Sequence, residues 1–153
     1  MGRTDTASHV LEAEPERVYA ALVDADALLA WLPPVGMTAR FDRFDGRPGG
    51  GYRMVLTYPD ASTAPGKATA DSDVVEARFV DMVPGVQVVQ AVDFVSDDPR
   101  YSGTMTMTWE LSRAEAGTRI EIRAEEVPEG ISADDHAAGL RSSLENLAAY
   151  VER

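Results

Sequence analysis

The sequence has no cysteine, one lysine, two histidines and no long apolar run, and each scarcity removes a class of function. Without cysteine there is neither a disulfide framework nor a thiolate to act as nucleophile or ligand, which is compatible with a reducing compartment. No stretch approaches the roughly 20 apolar residues of a membrane-spanning helix. The opening residues, MGRTDTASHV, lack the apolar segment of a secretory signal, so the expected location is the cytoplasm. Lys67 stands alone against thirteen arginines, and the formal net charge is −12. Such an acidic surface repels nucleic-acid backbones and anionic membranes, so neither is an expected partner. The simplest role of the charge is solubility. Scarce lysine beside abundant Ala, Arg, Asp and Val is the composition associated with G+C-rich bacterial genomes.

At 153 residues and 44% hydrophobic content, the chain fits one domain, residues 1–153. That length buries roughly two thirds of the unfolded surface and leaves room for a cavity. No repeat, low-complexity tract or linker divides it. Thr6 to Ala13 reads as a strand ended by Pro15. Glu14-Pro15-Glu16 opens a short helix, because proline suits a first turn and acids suit the positive end of the dipole. Val18, Ala21 and Leu22 form its apolar stripe. Asp24 or Asp26 caps a second short helix carrying Leu28, Leu29 and Trp31, which stops at Pro33-Pro34. From Met37 the period changes to two. Thr38 to Phe44, Tyr52 to Tyr58, Val74 to Met82 and Val86 to Val95 read as strands. They are separated by the turn Asp45–Gly51, the loop Pro59–Gly66 and the tight Pro84-Gly85 connection. Asp97-Asp98-Pro99 makes the next turn.

The strictest alternation follows. Gly103, Met105, Met107, Trp109 and Leu111 share one face; Thr104, Thr106, Thr108 and Glu110 share the other, as in a sheet packed on one side and wet on the other. Beyond Glu115-Ala116-Gly117, Ile120, Ile122 and Ala124 alternate with charged residues. The period then becomes helical. Ser132 is an N-cap, Asp134 and Asp135 occupy the first turn, and Ala137, Leu140, Leu144, Leu147 and Val151 form a stripe. A helix from Ser132 to Glu152 is about 31 Å long, and the Gly103–Leu111 strand about 30 Å. Each has one apolar face to cover. The economical α+β solution is a meander of antiparallel strands, with two short helices after the first strand and a long C-terminal helix on its concave face. That is the helix-grip fold.

Chemistry is harder to find. There is no G-x-S-x-G nucleophile motif, and Gly49-Gly50-Gly51 has no P-loop or dinucleotide-binding pattern around it and reads as a bend. Gly66-Lys67-Ala68-Thr69 lacks the upstream glycine of a P-loop. Asp97-Asp98, Asp71-x-Asp73 and Asp134-Asp135 lack calcium-loop spacing and read as solvated turn or cap residues. No metal site and no cofactor is expected. His136 is the one candidate for acid–base catalysis, since an imidazole titrates near neutrality. It lies one residue off the apolar stripe, which places it at the rim or in solvent. His9 shares strand parity with Leu11 and points inward, where a hydrogen-bonded core histidine is the plain reading. No catalytic constellation is complete.

Strand and helix parity select the candidate ligand-binding residues. Met54, Leu56, Met105, Met107, Trp109, Ile120 and Ile122 face the helix. Leu140, Ser143, Leu144 and Leu147 face back, and Trp31 closes one end from the short helices. The plain reading of each is core. Adaptable methionines suit a site for varied apolar shapes, and Tyr52, Tyr58 and Tyr101 could supply polar handles.

Several motifs carry a resemblance that runs nearly end to end. They are Ala13-Glu14-Pro15-Glu16-Arg17-Val18-Tyr19, Leu29-Ala30-Trp31-Leu32-Pro33-Pro34 and Phe44-Asp45-Gly46-Arg47-Pro48-Gly49-Gly50. Val80-Asp81-Met82-Val83-Pro84-Gly85 follows, then the Met105–Leu111 strand with Gly117-Thr118, and the last helix from Leu144 through Val151. In order and spacing the chain resembles the superfamily of START-related lipid-binding, polyketide-cyclase and birch-pollen-allergen-like domains (SRPBCC). Within it, the chain looks most like bacterial relatives of the activator of the ninety-kilodalton heat-shock protein ATPase. The resemblance implies the helix-grip fold and a domain that binds or carries a small hydrophobic or aromatic molecule in an internal cavity. Its superfamily also implies two alternatives: a cyclase- or hydrolase-like enzyme, or a module that contacts a chaperone or another protein. Monomer and homodimer are both compatible with the pattern. The chain departs from the family in two respects. It has no room for the separate N-terminal domain of the eukaryotic activators, and it carries Gly139-Leu140 where relatives often have Gly-Trp, a smaller residue expected to reshape the pocket.

Overall fold

Proline and a carboxylate cap place the first two helices. The structure, a computed structural model, describes residues 3–33, 37–57 and 72–152. α1 (Pro15–Val23) has Pro15 in its first turn, and α2 (Ala25–Trp31) begins where Asp24 accepts a hydrogen bond from the Ala27 amide at 2.9 Å. Asp24 therefore ends one helix and caps the next, and Asp26 lies inside the first turn. α3 (Ala133–Val151) is capped by Ser132, whose hydroxyl accepts from the Asp135 amide at 3.1 Å. Nineteen residues make it about 28 Å long.

The strands are β1 (Arg3–Leu11), β2 (Thr38–Asp45), β3 (Gly51–Thr57), β4 (Ser72–Val83), β5 (Gln87–Val95), β6 (Met105–Ala114) and β7 (Gly117–Val127). They form one seven-stranded antiparallel sheet in the order β1-β7-β6-β5-β4-β3-β2. Each strand from β2 to β7 pairs antiparallel with its successor, and β1 closes onto β7 with Leu11 opposite Thr118 and His9 opposite Ile120. Register shifts in β1 at Arg3/Asp5, in β2 at Phe41/Arg43 and in β4 at Phe79/Asp81 bend the sheet. Glu126, opposite the first of these, takes a left-handed φ of 58°. The sheet curves around α3, as the helix-grip reading requires.

Leu11, Ile120, Ile122, Ala124, Leu111 and Trp109 from the sheet, with Leu140, Leu144, Leu147 and Val151 from α3, belong to one buried core. Glycine is needed where the Gly49-Gly50-Gly51 bend meets β4. A Cβ on Gly51 would collide with the Ala77 carbonyl, and Gly49 has a φ of 84°. The triglycine is thus a strand bend, with the Gly49 amide donating to the Phe79 carbonyl at 2.8 Å.

Four sequence expectations change. β1 starts at Arg3 rather than Thr6, because Arg3 is held by distant groups that local patterning does not reveal. β6 starts at Met105, since Gly103 has a φ of 89° and belongs to the preceding turn. Thr108, expected on the wet face, is buried between Val89 of β5 and Arg123 of β7 in the middle of the sheet. β4 starts at Ser72, which places Asp73 opposite Leu56 and buries it, where a solvated turn residue was expected. Tyr58, Lys67 and the Pro59–Gly66 loop lie outside the described residues.

Candidate ligand site

Near the centre of the sheet's inner face, three strands contribute polar atoms. Tyr52 of β3, Gln90 of β5 and Trp109 of β6 are each only 5% exposed. The indole nitrogen of Trp109 donates to Gln90 Oε1 at 2.9 Å, and Gln90 Nε2 donates to Tyr52 Oη at 3.4 Å. An indole N–H is only a donor, so Trp109 fixes which end of the amide is oxygen and turns the NH2 group toward Tyr52. Burial raises the Tyr52 phenol to about 12, so it keeps its proton at any ordinary pH.

The short helices form the roof. Trp31 of α2 packs edge-on against Trp109, with ring centroids 5.8 Å apart and planes at 80°. Its own indole N–H donates to the Ala21 carbonyl of α1 at 2.9 Å, which locks the two helices together. Tyr52 lies within an aromatic group with Phe41, Phe44 and Phe79. Between Leu22, Leu28, Trp31 and Leu32 on the helical side and Tyr52, Val88, Gln90 and Trp109 on the sheet side remains a void of about 10 Å³. That is space for about one water molecule. Among the described residues it is an opening point and not a ready-made chamber.

Of the residues selected from sequence, Trp31 and Trp109 line this void. Met54, Met105, Ile120, Ile122, Leu140, Leu144 and Leu147 are buried in the surrounding core. Leu56, Met107 and Ser143 remain partly exposed. Val75 and Phe94, paired on β4 and β5, are also inner-face residues that keep some exposure. Among the described strands α3 runs nearest β1, at the opposite edge of the sheet from β2. Tyr101 stands beside Phe94, its ring 6.5 Å away and pressed against Gly130.

His136 does not face solvent. Its side chain is 12% exposed, and Nδ1 lies 2.7 Å from Asp5 Oδ2, itself on a side chain 12% exposed. A carboxylate only accepts, so Nδ1 carries the hydrogen. Asp5 also receives Arg3 Nε and Nη2 at 3.0 and 2.9 Å, and Arg3 Nη2 donates to the Ile131 carbonyl at 2.7 Å. The Arg3 guanidinium holds the Asp5 carboxyl below the usual carboxylate range; burial opposes this, and His136 reinforces it. This clasp joins the edge strand to the start of α3. His9 is partly buried on the same face of β1. Sequence reading missed Gln90 and the clasp. Gln90 had a signal, since it interrupts the inward series Val88, Val92 and Phe94. The Asp5–His136 contact had none, because the two residues are 131 positions apart.

The larger open grooves are elsewhere. One of about 400 Å³ crosses the outer face, where Arg43 and Arg78 are offset by Asp45, Glu76 and Asp93. Its charges are internally compensated, Arg43 and Arg53 both approaching Glu76. Among the described residues no group of three His, Asp or Glu side chains is placed to hold a metal ion. No described helix is long and apolar enough to cross a membrane.

Comparison with known proteins follows the same lines. A solved protein of Chromobacterium violaceum is 33% identical over 98% of this chain and 97% of its own, with a TM-score of 0.85. One from Rhizobium loti is 27% identical over 98% and 97%, with a TM-score of 0.77. An AHSA1-like protein of Aeromonas hydrophila, 15% identical over 98% and 92%, shares the fold with a TM-score of 0.74. No protein of curated function matches the sequence. The family model described as "Activator of Hsp90 ATPase homolog 1-like protein" matches residues 12–152, and with this coverage the chain belongs to that family, within the SRPBCC superfamily.

Proposed function

We propose that this chain acts as a single-domain binding or carrier protein for a small hydrophobic or aromatic molecule, held between the inner face of the sheet, the α1–α2 roof and α3. The observation that carries the reading is an apolar inner face left partly exposed at Leu56, Val75, Phe94 and Met107. Burying such surface in a ligand contributes roughly 25 cal/mol per Å². Family membership supports the same reading. Among the described residues the void beneath α2 is water-sized, so a ligand seated there needs α2 to move. That helix has only seven residues and is anchored from below by Leu28 and Trp31. The acidic surface and the absence of a membrane-length helix among the described residues fit a protein that works in the cytoplasm.

The test is native mass spectrometry on protein purified gently from its own host, together with a thermal-shift screen of apolar compounds. A reproducible added mass that vanishes on denaturation is the expected result. An unliganded mass and a silent screen together would overturn the reading.

A second reading, proton-transfer catalysis in the same interior, has one observation in its favour: the 2.7 Å His136–Asp5 bond, which orients the imidazole. Chemical conversion of the captured molecule by wild type but not by His136→Asn would favour it over the carrier. Equal behaviour of the two proteins would discard it.

A further inference from the structure

We propose that Tyr52 and Gln90 select the ligand's polar end, and that the ligand class is a neutral carbonyl compound with an apolar, preferably aromatic, body. This inference rests on the ligand-binding reading and narrows it.

The argument is a count of donors. Gln90 Oε1 is engaged by Trp109, and one Nε2 hydrogen reaches Tyr52 at 3.4 Å, near the limit of a hydrogen bond. The two bonds use neither the second Nε2 hydrogen nor the Tyr52 hydroxyl hydrogen, which leaves both donors available to a ligand. Both donors come from side chains 5% exposed, beside the void under Leu28 and Trp31. An oxygen entering there from the roof meets both side chains, with the Trp31 and Trp109 rings beside it.

Charge decides between a carbonyl and a carboxylate. Among the described residues the buried polar ones are Asp73, Gln90, Thr108 and Thr118, so none of them is a cation to pair with an anion. Arg3 is committed to Asp5 at the sheet edge. An unpaired anion would lose its hydration without compensation, whereas a neutral carbonyl needs only the two donors. A hydrocarbon of the same shape would leave them unused and displace any water that served them.

Three probes of matched size separate the possibilities: acetophenone, its hydrocarbon isostere α-methylstyrene, and benzoate. Dissociation constants come from NMR titration of 15N-labelled protein, following the side-chain amide of Gln90 and the indole N–H of Trp109. Acetophenone is expected to bind about tenfold tighter than α-methylstyrene and tighter than benzoate, and it alone of the first two should move the Gln90 amide protons downfield, as a new hydrogen bond does. Tyr52→Phe, checked for an unchanged fold by its melting curve, should remove most of that preference. Binding of acetophenone and α-methylstyrene within twofold of each other, or tighter binding of benzoate, overturns the inference and leaves the ligand-binding reading standing. Failure of all three probes to bind wild type overturns both. The wild-type comparison needs no variant, so an unfolded Tyr52→Phe would not shield the inference.

Discussion

If the buried Trp109–Gln90 hydrogen bond organises the interior, removing its two ends separately should cost more than removing them together. Gln90→Leu leaves the Trp109 indole N–H, 5% exposed, without its 2.9 Å acceptor. An orphaned buried donor costs about 1–3 kcal/mol, and the added apolar burial of leucine offsets about 1 kcal/mol of that. The net loss is then about 0–2 kcal/mol. Trp109→Phe removes the donor and also the ring that meets Trp31 edge-on at 5.8 Å, a loss of about 2–3 kcal/mol. The double variant has no orphan on either side, and its loss should fall short of the sum by about 1–2 kcal/mol. Urea unfolding followed by far-ultraviolet circular dichroism measures this, with the m value unchanged across the set. Additivity within about 0.5 kcal/mol would refute the reasoning. So would a Gln90→Leu protein more stable than wild type, which would make the amide an unneeded polar intrusion.

Three further outcomes are expected. Leu147→Ala, at a fully buried site on α3, should lower stability by about 2–5 kcal/mol, read from the same urea curves. Gly51→Ala should destabilise by about 1–3 kcal/mol, because its methyl group meets the Ala77 carbonyl; a neutral result would show that β3 and β4 can separate there. The Asp5 carboxyl, held low mainly by Arg3, contributes stability at pH values above the ordinary carboxylate range. That contribution disappears as the pH falls through its lowered native value, so Asp5→Asn should flatten the acid limb of stability against pH and leave its shape near neutrality unchanged. Identical acid limbs in the two proteins would remove Asp5 from the account.

Much of this architecture is local chemistry. The period of two from Met105 to Leu111, the period near 3.6 from Leu140 to Val151, the Asp24 and Ser132 caps and the Pro15 start each depend on a few neighbouring residues. Those signals were enough to predict the strands, the helices and a sheet wrapped around the last of them. Parity also assigned Trp31, Trp109 and the α3 leucines to the interior.

What tertiary structure decided is which inward residues meet, and at what distance. Gln90 became the centre of the candidate site because pairing of β5 with β6 and β4 brings it between Trp109 and Tyr52. His136 turned inward because closure of β1 onto β7 carried Asp5 to the start of α3. Among the described residues the space beneath α2 tightened to a water-sized void because Trp31 folds down onto Trp109, a contact between residues 78 positions apart in sequence. Period and capping are short-range properties that a sequence displays directly. Hydrogen bonds across a sheet and the closing of a cavity depend on register and curvature, which exist only once distant strands have paired.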